Sequence, residues 1–383
     1  MINPATGKPI RDEPEARRVL REWLREEPAA ETVSQATTVK AWSEKWLLLI
    51  AERLDPNTYR NHASAVHVWI VPTIGTKKLA RLTPGDIRAV TKAMLDAGRK
   101  PATAIRAHVV LREMLTAAQL EGYAVPERVL KVKPPQADED AGRDDIPVAD
   151  AIKILAAAQQ PDGSESRWMA AFLQGVRPAE ALGLCWDLVD LDAETLDVSW
   201  QLISLPYNTP HDRSSGFRIP VGYTARHLVG AYHLVRPKTS AGQRLIPMVP
   251  WMAESLRKWK AGAPDLIKRA AKKGPASEWG GLVWPRGATE HHPERAGWPT
   301  IPKADTAAWG TLCGAAGVRA YDLYSCRHTT ATLLREAGVK DDIITAIVGH
   351  ASIRSTRPYL HPDQRAEMLD ALGKVAGRLQ LRS

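Results

Sequence analysis

Between Thr37 and Leu54 the stretch "TTVKAWSEKWLLLIAERL" sets Trp42, Trp46 and Leu49 at i, i+4 and i+7, which predicts an amphipathic helix with that stripe inward. A second helix is predicted from Asn57 toward Ile70, ending ahead of Pro72 and Gly75. In "LTPGDIRAVTKAMLDAG" Thr83 is placed as an N-cap, Pro84 as the first helical residue, Asp86 in the first turn and Gly98 as the stop. A fourth helix, about Ala102 to Leu120, is expected to turn Ile105, Val109 and Met114 or Leu115 inward and Arg106 and Arg112 outward. Short turns between helices of this kind predict a small bundle. The residues before about 36 are too few for a core of their own and have room for one short helix around "ARRVLREWLREE".

The pattern changes after "PPQADEDAGRDDIPVAD", Pro134 to Asp150, which is acidic, rich in helix breakers and nearly free of apolar residues, and so is expected to be a linker. Beyond it "MAAFLQGVRPAEALGLCW" is helical in parts, and "TLDVSWQLI" alternates Leu196, Val198, Trp200 and Leu202 as a strand does. "HLVRPKTSAGQRLIPM" predicts two strands around a Ser-Ala-Gly turn. From Thr329 onward the chain is mainly helical, with breaks at Gly338, Gly349 and Pro358. The expected organisation is an extension (1–36), a helical domain (37–133), the linker (134–150) and an α+β domain with a small sheet (151–383). In the tail, Met368, Leu372, Val375 and Leu379 share a helical face that can pack on this domain.

A chain of 383 residues can bury two cores. Apolar patches such as "WLLLI" are far too short to span a bilayer, and the N-terminus lacks the apolar stretch of a secretory signal. Cys185, Cys313 and Cys326 show neither pairing nor metal spacing; they are expected to be buried thiols, in keeping with a cytoplasmic protein. The net charge of +9 favours a polyanionic partner. From Arg226 to Lys273 eleven Lys or Arg face two acids, Glu254 and Asp265. No phosphate-binding loop, HExxH or Cys/His ligand spacing occurs; "EHHPE", Glu290 to Glu294, sits among Pro and Gly and is expected to be a solvated loop, not a metal site.

Four separated pieces carry candidate chemistry. Arg177 and Glu180 stand one helical turn apart in "QGVRPAEALGLCWDLVD". Lys238 lies at the lip of "PKTSAGQRLIPM". Arg327 and His328 open a helix in "YSCRHTTATLLREAG", where the helix dipole disfavours a cation unless an anion compensates. In "IVGHASIRSTRPYLH" His350 precedes Tyr359 by nine residues. Each piece alone is ordinary. In order and spacing they resemble the tyrosine recombinase (phage integrase) family, and "WIVPTIGTKKLARLTPGDI" resembles its SAM-like core-binding domain, so that the resemblance runs from about Thr37 to the C-terminus.

That resemblance implies a mainly α chain with a small β-sheet, a helical core-binding bundle followed by a catalytic α+β domain, and a site-specific recombinase. It gives Tyr359 the role of nucleophile, Arg177 and Arg327 those of phosphate-binding cations, Lys238 that of hairpin proton donor and His350 that of the imidazole at the site. Glu180 matches the acid that braces the first arginine, and His328 is a supporting residue rather than a catalyst. The family usually has His, sometimes Lys, three positions before the second arginine; here Tyr324 stands there, a hydrogen-bond donor but a poor base with a pKa near about 10. The implied reaction forms a 3′-phosphotyrosyl link with neither metal nor ATP. The implied partners are double-stranded DNA at attachment sites, further copies in a tetramer, and a directionality factor. Lys77, Lys78, Arg81, Arg99, Lys100, Arg106, Arg244 and the Arg257 to Lys260 cluster are candidate DNA contacts. Two other readings are a catalytically impaired DNA-binding relative, on the strength of Tyr324, and strand cleavage and resealing of the type IB topoisomerase kind.

Overall fold

The structure, a computed structural model, describes residues 36–136, 145–209, 212–237, 242–262, 281–287, 295–349 and 362–381. The expected helix before residue 36 and the "EHHPE" loop lie outside these, as do Lys238, His350 and Tyr359. The chain divides into two compact units, Met1–Ala141 and Gly142–Ser383. It is mostly helical with two small sheets.

The first unit comprises α1 (Val39–Ala51), α2 (Pro56–Ser64), a π-helical turn (Ala65–Ile70), α3 (Val71–Ile74), α4 (Pro84–Asp96), α5 (Pro101–Leu120) and α6 (Glu127–Leu130). Thr83 caps α4 with Asp86 in its first turn, as expected, and the two close a reciprocal capping box; Asp55 caps α2 through two backbone N–H groups. The second helix does not stop ahead of Pro72. A π turn, in which the Val71 N–H donates to Val66, shifts the ladder so that Pro72 falls in the first turn of α3, where its missing donor costs little.

Two predicted faces are rotated from those expected. Trp42 and Trp46 are buried, but Leu49 is exposed and Leu47 and Ile50 take its place. On α5 Val109 faces outward, while Ala104, Ala107, Leu111, Met114 and Leu115 form the packed stripe. The indole N–H of Trp42 donates to the Met114 carbonyl at 2.8 Å, tying α1 to α5 through the centre of the core.

The second unit contains α7 (Val148–Ala158), α8 (Ser166–Leu173), α9 (Pro178–Leu182), β1 (Val189–Asp190), β2 (Thr195–Val198), β3 (Gln201–Ser204), β4 (Ala225–Val229), β5 (Tyr232–Val235), β6 (Arg244–Pro247), α10 (Pro250–Gly262), α11 (Pro302–Ala315), α12 (Ser325–Glu336), α13 (Asp341–Val348) and α14 (Pro362–Arg378). The expected linker ends earlier than Asp150. Asp145 accepts from the Thr332 hydroxyl, the Ile146 N–H donates to Thr329, and Asp150 accepts from Tyr321 at 2.6 Å, so residues 145–150 are fastened to this unit.

The single sheet expected here is two, ordered β1-β2-β6 and β3-β5-β4. The predicted strand from Thr195 breaks at Ser199–Trp200 into β2 and β3. The returning chain pairs with both halves, Val198 opposite Arg244 and Gln201 opposite Val235. β5 and β6 are therefore not partners of each other, which corrects the expected two-stranded hairpin. The described pairing of β5 with β3 ends at Val235 opposite Gln201, and that of β6 with β2 begins at Arg244 opposite Val198.

The tail stripe packs at home. Met368, Leu372, Val375 and Leu379 are all buried in the core that also holds Phe172, Leu334 and Ile347. Cys185, Cys313 and Cys326 are buried and unpaired. No described helix is long and apolar enough to cross a membrane.

Candidate active site

The site is assembled where α8, α12 and α13 meet. Thr330 of α12 donates to the Phe172 carbonyl at the end of α8, at 2.7 Å. Gly175 follows with φ +56°, and a side chain there would approach Val348 of α13 to 3.0 Å, so glycine allows the backbone this close. Its carbonyl accepts from Arg327 Nη1 at 2.7 Å. Gly349 ends α13 in the left-handed conformation, which turns its own carbonyl inward.

That carbonyl joins the two expected phosphate ligands. Arg177 Nη2 donates to Gly349 O at 2.8 Å and Arg327 Nη2 at 3.4 Å. Arg177 caps α9 and is half-buried; Arg327, in the first turn of α12, is 2 % exposed, and its Nε has no protein partner among the described residues. The pair Arg177–Glu180, ordinary on a surface, is here built on a buried carboxylate.

Glu180 accepts from four donors. The Arg177 backbone N–H and side chain reach one oxygen each, at 2.9 and 2.5 Å, and Arg244 forks onto both, at 3.2 and 2.9 Å. Burial acts to raise the Glu180 carboxyl, and Arg244 first and Arg177 next outweigh it, so its pKa lies below the usual carboxylate value. Burial likewise acts to lower Arg177, and Glu180 overrides it with help from a hydrogen bond to Tyr324, leaving the pKa raised. For Arg327 burial wins. With Arg244 and Arg177 adding like-charge repulsion, its pKa is pushed down to about 9, still cationic at neutral pH. Three guanidiniums around one carboxylate leave an excess of positive charge that an anion would neutralise.

Tyr324 is half-buried at the N-cap of α12, in hydrogen-bonding contact with Arg177, and its ring lies 5.3 Å from that of His328. Arg177, Arg327, Glu180, Tyr324 and His328 thus gather in one region.

Arg244 is not the open DNA contact expected. It is 6 % exposed, with Nε on the Ile347 carbonyl at 2.8 Å and its fork on Glu180. Sequence reasoning missed its role, although strand alternation with buried Ile246 was a usable signal. The Arg257 to Lys260 cluster is also largely engaged at home. Arg257 donates to the Leu191 carbonyl, Lys258 pairs with Glu254, and Lys260 lies over the Trp186 ring. In the first unit Lys77, Lys78, Arg81, Arg99, Lys100 and Arg106 are exposed; Lys77 also pairs with Asp86 at 2.8 Å, and Arg99 lies over Trp69.

Comparisons with known proteins bear on the family and the fold. The profile of the phage integrase family matches residues 146–365, and that of the phage integrase N-terminal SAM-like domain matches residues 38–95. An integrase of Saccharopolyspora erythraea is 26% identical over 362 residues, covering 85% of this chain and 79% of that protein. Among solved structures, a fragment of the Tn1549 transposon integrase in complex with transposon right end DNA superposes with TM-score 0.63 at 16% identity, over 87% of this chain and 98% of that one. A lambda integrase tetramer bound to a Holliday junction gives 0.56 at 17% identity, over 94% of each chain. With the family profile spanning more than half its length, the chain belongs to the phage integrase family, the tyrosine site-specific recombinases.

Proposed function

We propose that this protein recombines double-stranded DNA at specific sites through a 3′-phosphotyrosyl intermediate formed on Tyr359. The observation that carries the reading is the convergence of Arg177 and Arg327 on the Gly349 carbonyl, the residue directly before His350. A DNA phosphodiester repels nucleophiles, and charge accumulates on its non-bridging oxygens as the phosphorus becomes five-coordinate. Two fixed guanidiniums answer that charge.

In this scheme the Tyr359 oxygen attacks phosphorus, the bond to the 5′-oxygen breaks, and Lys238 supplies the proton that the departing oxygen needs. Ionising a free phenol at neutral pH costs roughly 4 kcal/mol, which the adjacent cations reduce. His350 donates to the phosphate or assists removal of the phenol proton. A 5′-hydroxyl from a second DNA then attacks the phosphotyrosine and releases the tyrosine. The bond energy is conserved throughout, so the scheme draws on neither a metal ion nor ATP. Exposed Lys77, Lys78, Arg81, Arg99, Lys100 and Arg106 are suited to backbone phosphates, and binding then weakens steeply with salt. A DNA-bound tetramer is proposed by analogy with the lambda integrase assembly.

The test uses nicked duplexes spanning the junctions of the genetic element that carries the gene, so that the cleaved strand's 5′ fragment diffuses away. Wild-type protein should form a denaturation-resistant adduct that Tyr359→Phe lacks. Binding without an adduct would favour the impaired-relative reading. Cleavage and resealing with no exchange between two defined sites would favour the topoisomerase-like one.

A further inference from the structure

Glu180 is 2 % exposed and offers about four lone-pair sites, all of them taken. Half of those bonds come from Arg244, which reaches the site from β6, the strand that follows the Lys238 segment. The third nitrogen of Arg244 holds the Ile347 carbonyl, two residues before the Gly349 carbonyl that Arg177 and Arg327 share. Arg244 therefore fills the side of the carboxylate that Arg177 does not use. With that side occupied, Arg177 gives Glu180 one Nη, and its other Nη stays turned toward Gly349.

We infer that Arg244 is a positioning residue for the reaction. By saturating Glu180 and anchoring the end of α13, it keeps the Arg177 guanidinium from folding back onto its own carboxylate and so leaves it directed at the substrate phosphate. This rests on the recombinase reading proposed above. A guanidinium is the fitting group, because only a planar fork can hold both carboxylate oxygens and still donate a third bond sideways. Removing it leaves a buried carboxylate with two empty sites, and Arg177 is the nearest donor able to fill them. The charged groups facing Glu180 are Arg177 from α9, Arg244 from β6 and Arg327 from α12, with Tyr324 reached through Arg177.

The test compares wild type, Arg244→Met, Arg244→Lys and Arg244→Met/Glu180→Gln as full-length proteins. Each is measured for DNA affinity across a salt series, adduct formation from pre-bound nicked DNA across pH, and thermal stability. Positioning predicts adduct formation slowed on the order of 10²-fold in Arg244→Met, with affinity and salt slope unchanged. Arg244→Lys should recover part of that rate. Arg244→Met should also gain an acid-side loss of rate as Glu180, without its main partner, takes up a proton, and the double variant should lose that limb. A purely structural role predicts instead a rate that follows the folded fraction with no new limb. Wild-type cleavage of bound DNA by Arg244→Met, with a salt slope reduced by about 0.9, would overturn the inference in favour of a DNA contact. If wild type itself forms no adduct, the recombinase reading fails separately. A crystal structure of Arg244→Met then decides this one: Arg177 should fork onto Glu180, and its staying on Gly349 would refute the inference.

Discussion

Arg177 and Arg327, held on separate helices, place guanidinium nitrogens 2.8 and 3.4 Å from one backbone oxygen, that of Gly349. A neutral carbonyl compensates neither positive charge, so an anion beside them is favoured. Replacing either arginine by lysine keeps a charge but loses the fork. Adduct formation on nicked DNA should fall by about 10²- to 10³-fold in each variant, with smaller changes in affinity. Retention of more than a tenth of the rate in both would remove them from the chemistry.

Glu180 is a stability device as well as a brace. Its carboxyl lies below the ordinary value of 4.5 in the folded protein. Its contribution is therefore complete above that value and is lost as pH falls through the lower folded one. Glu180→Gln should destabilise the second unit by about 3–5 kcal/mol at neutral pH, because buried Arg244 and half-buried Arg177 lose their counter-charge. Urea unfolding between pH 3 and 7 should also show a shallower acid-side decline in the variant.

Tyr324, at the N-cap of α12, hydrogen-bonds the Arg177 side chain. Tyr324→Phe removes one hydrogen bond from a guanidinium, worth about 1.5 kcal/mol, and should slow adduct formation about tenfold without changing DNA affinity. Tyr324→His should retain or raise the wild-type rate. A phenylalanine variant as active as wild type would show that the hydroxyl takes no part.

The tail helix contributes Leu372 to its own domain's core with no exposed surface. Leu372→Ala should cost about 2–5 kcal/mol in thermal or urea unfolding, and the loss should not depend on protein concentration. A concentration-dependent loss would point to docking on a second copy.

Local chemistry alone determined much of this protein. The capping box at Thr83 and Asp86, the helices around it and the buried tail stripe follow from short-range spacing, and the order of Arg177, Arg327, His350 and Tyr359 pointed to the family. Tertiary structure decided the rest. Whether Leu49 or Ile50 faces inward depends on how α1 rests against its neighbours, because adjacent apolar residues offer more than one stripe. The break at Ser199–Trp200, which divides one strand between two sheets, follows from which returning residues pair with each half. Arg244 shows the difference most plainly. In the sequence it is one more cation in a basic run, and only folding brings it to the buried Glu180 carboxylate, where an unpaired charge would be too costly to leave.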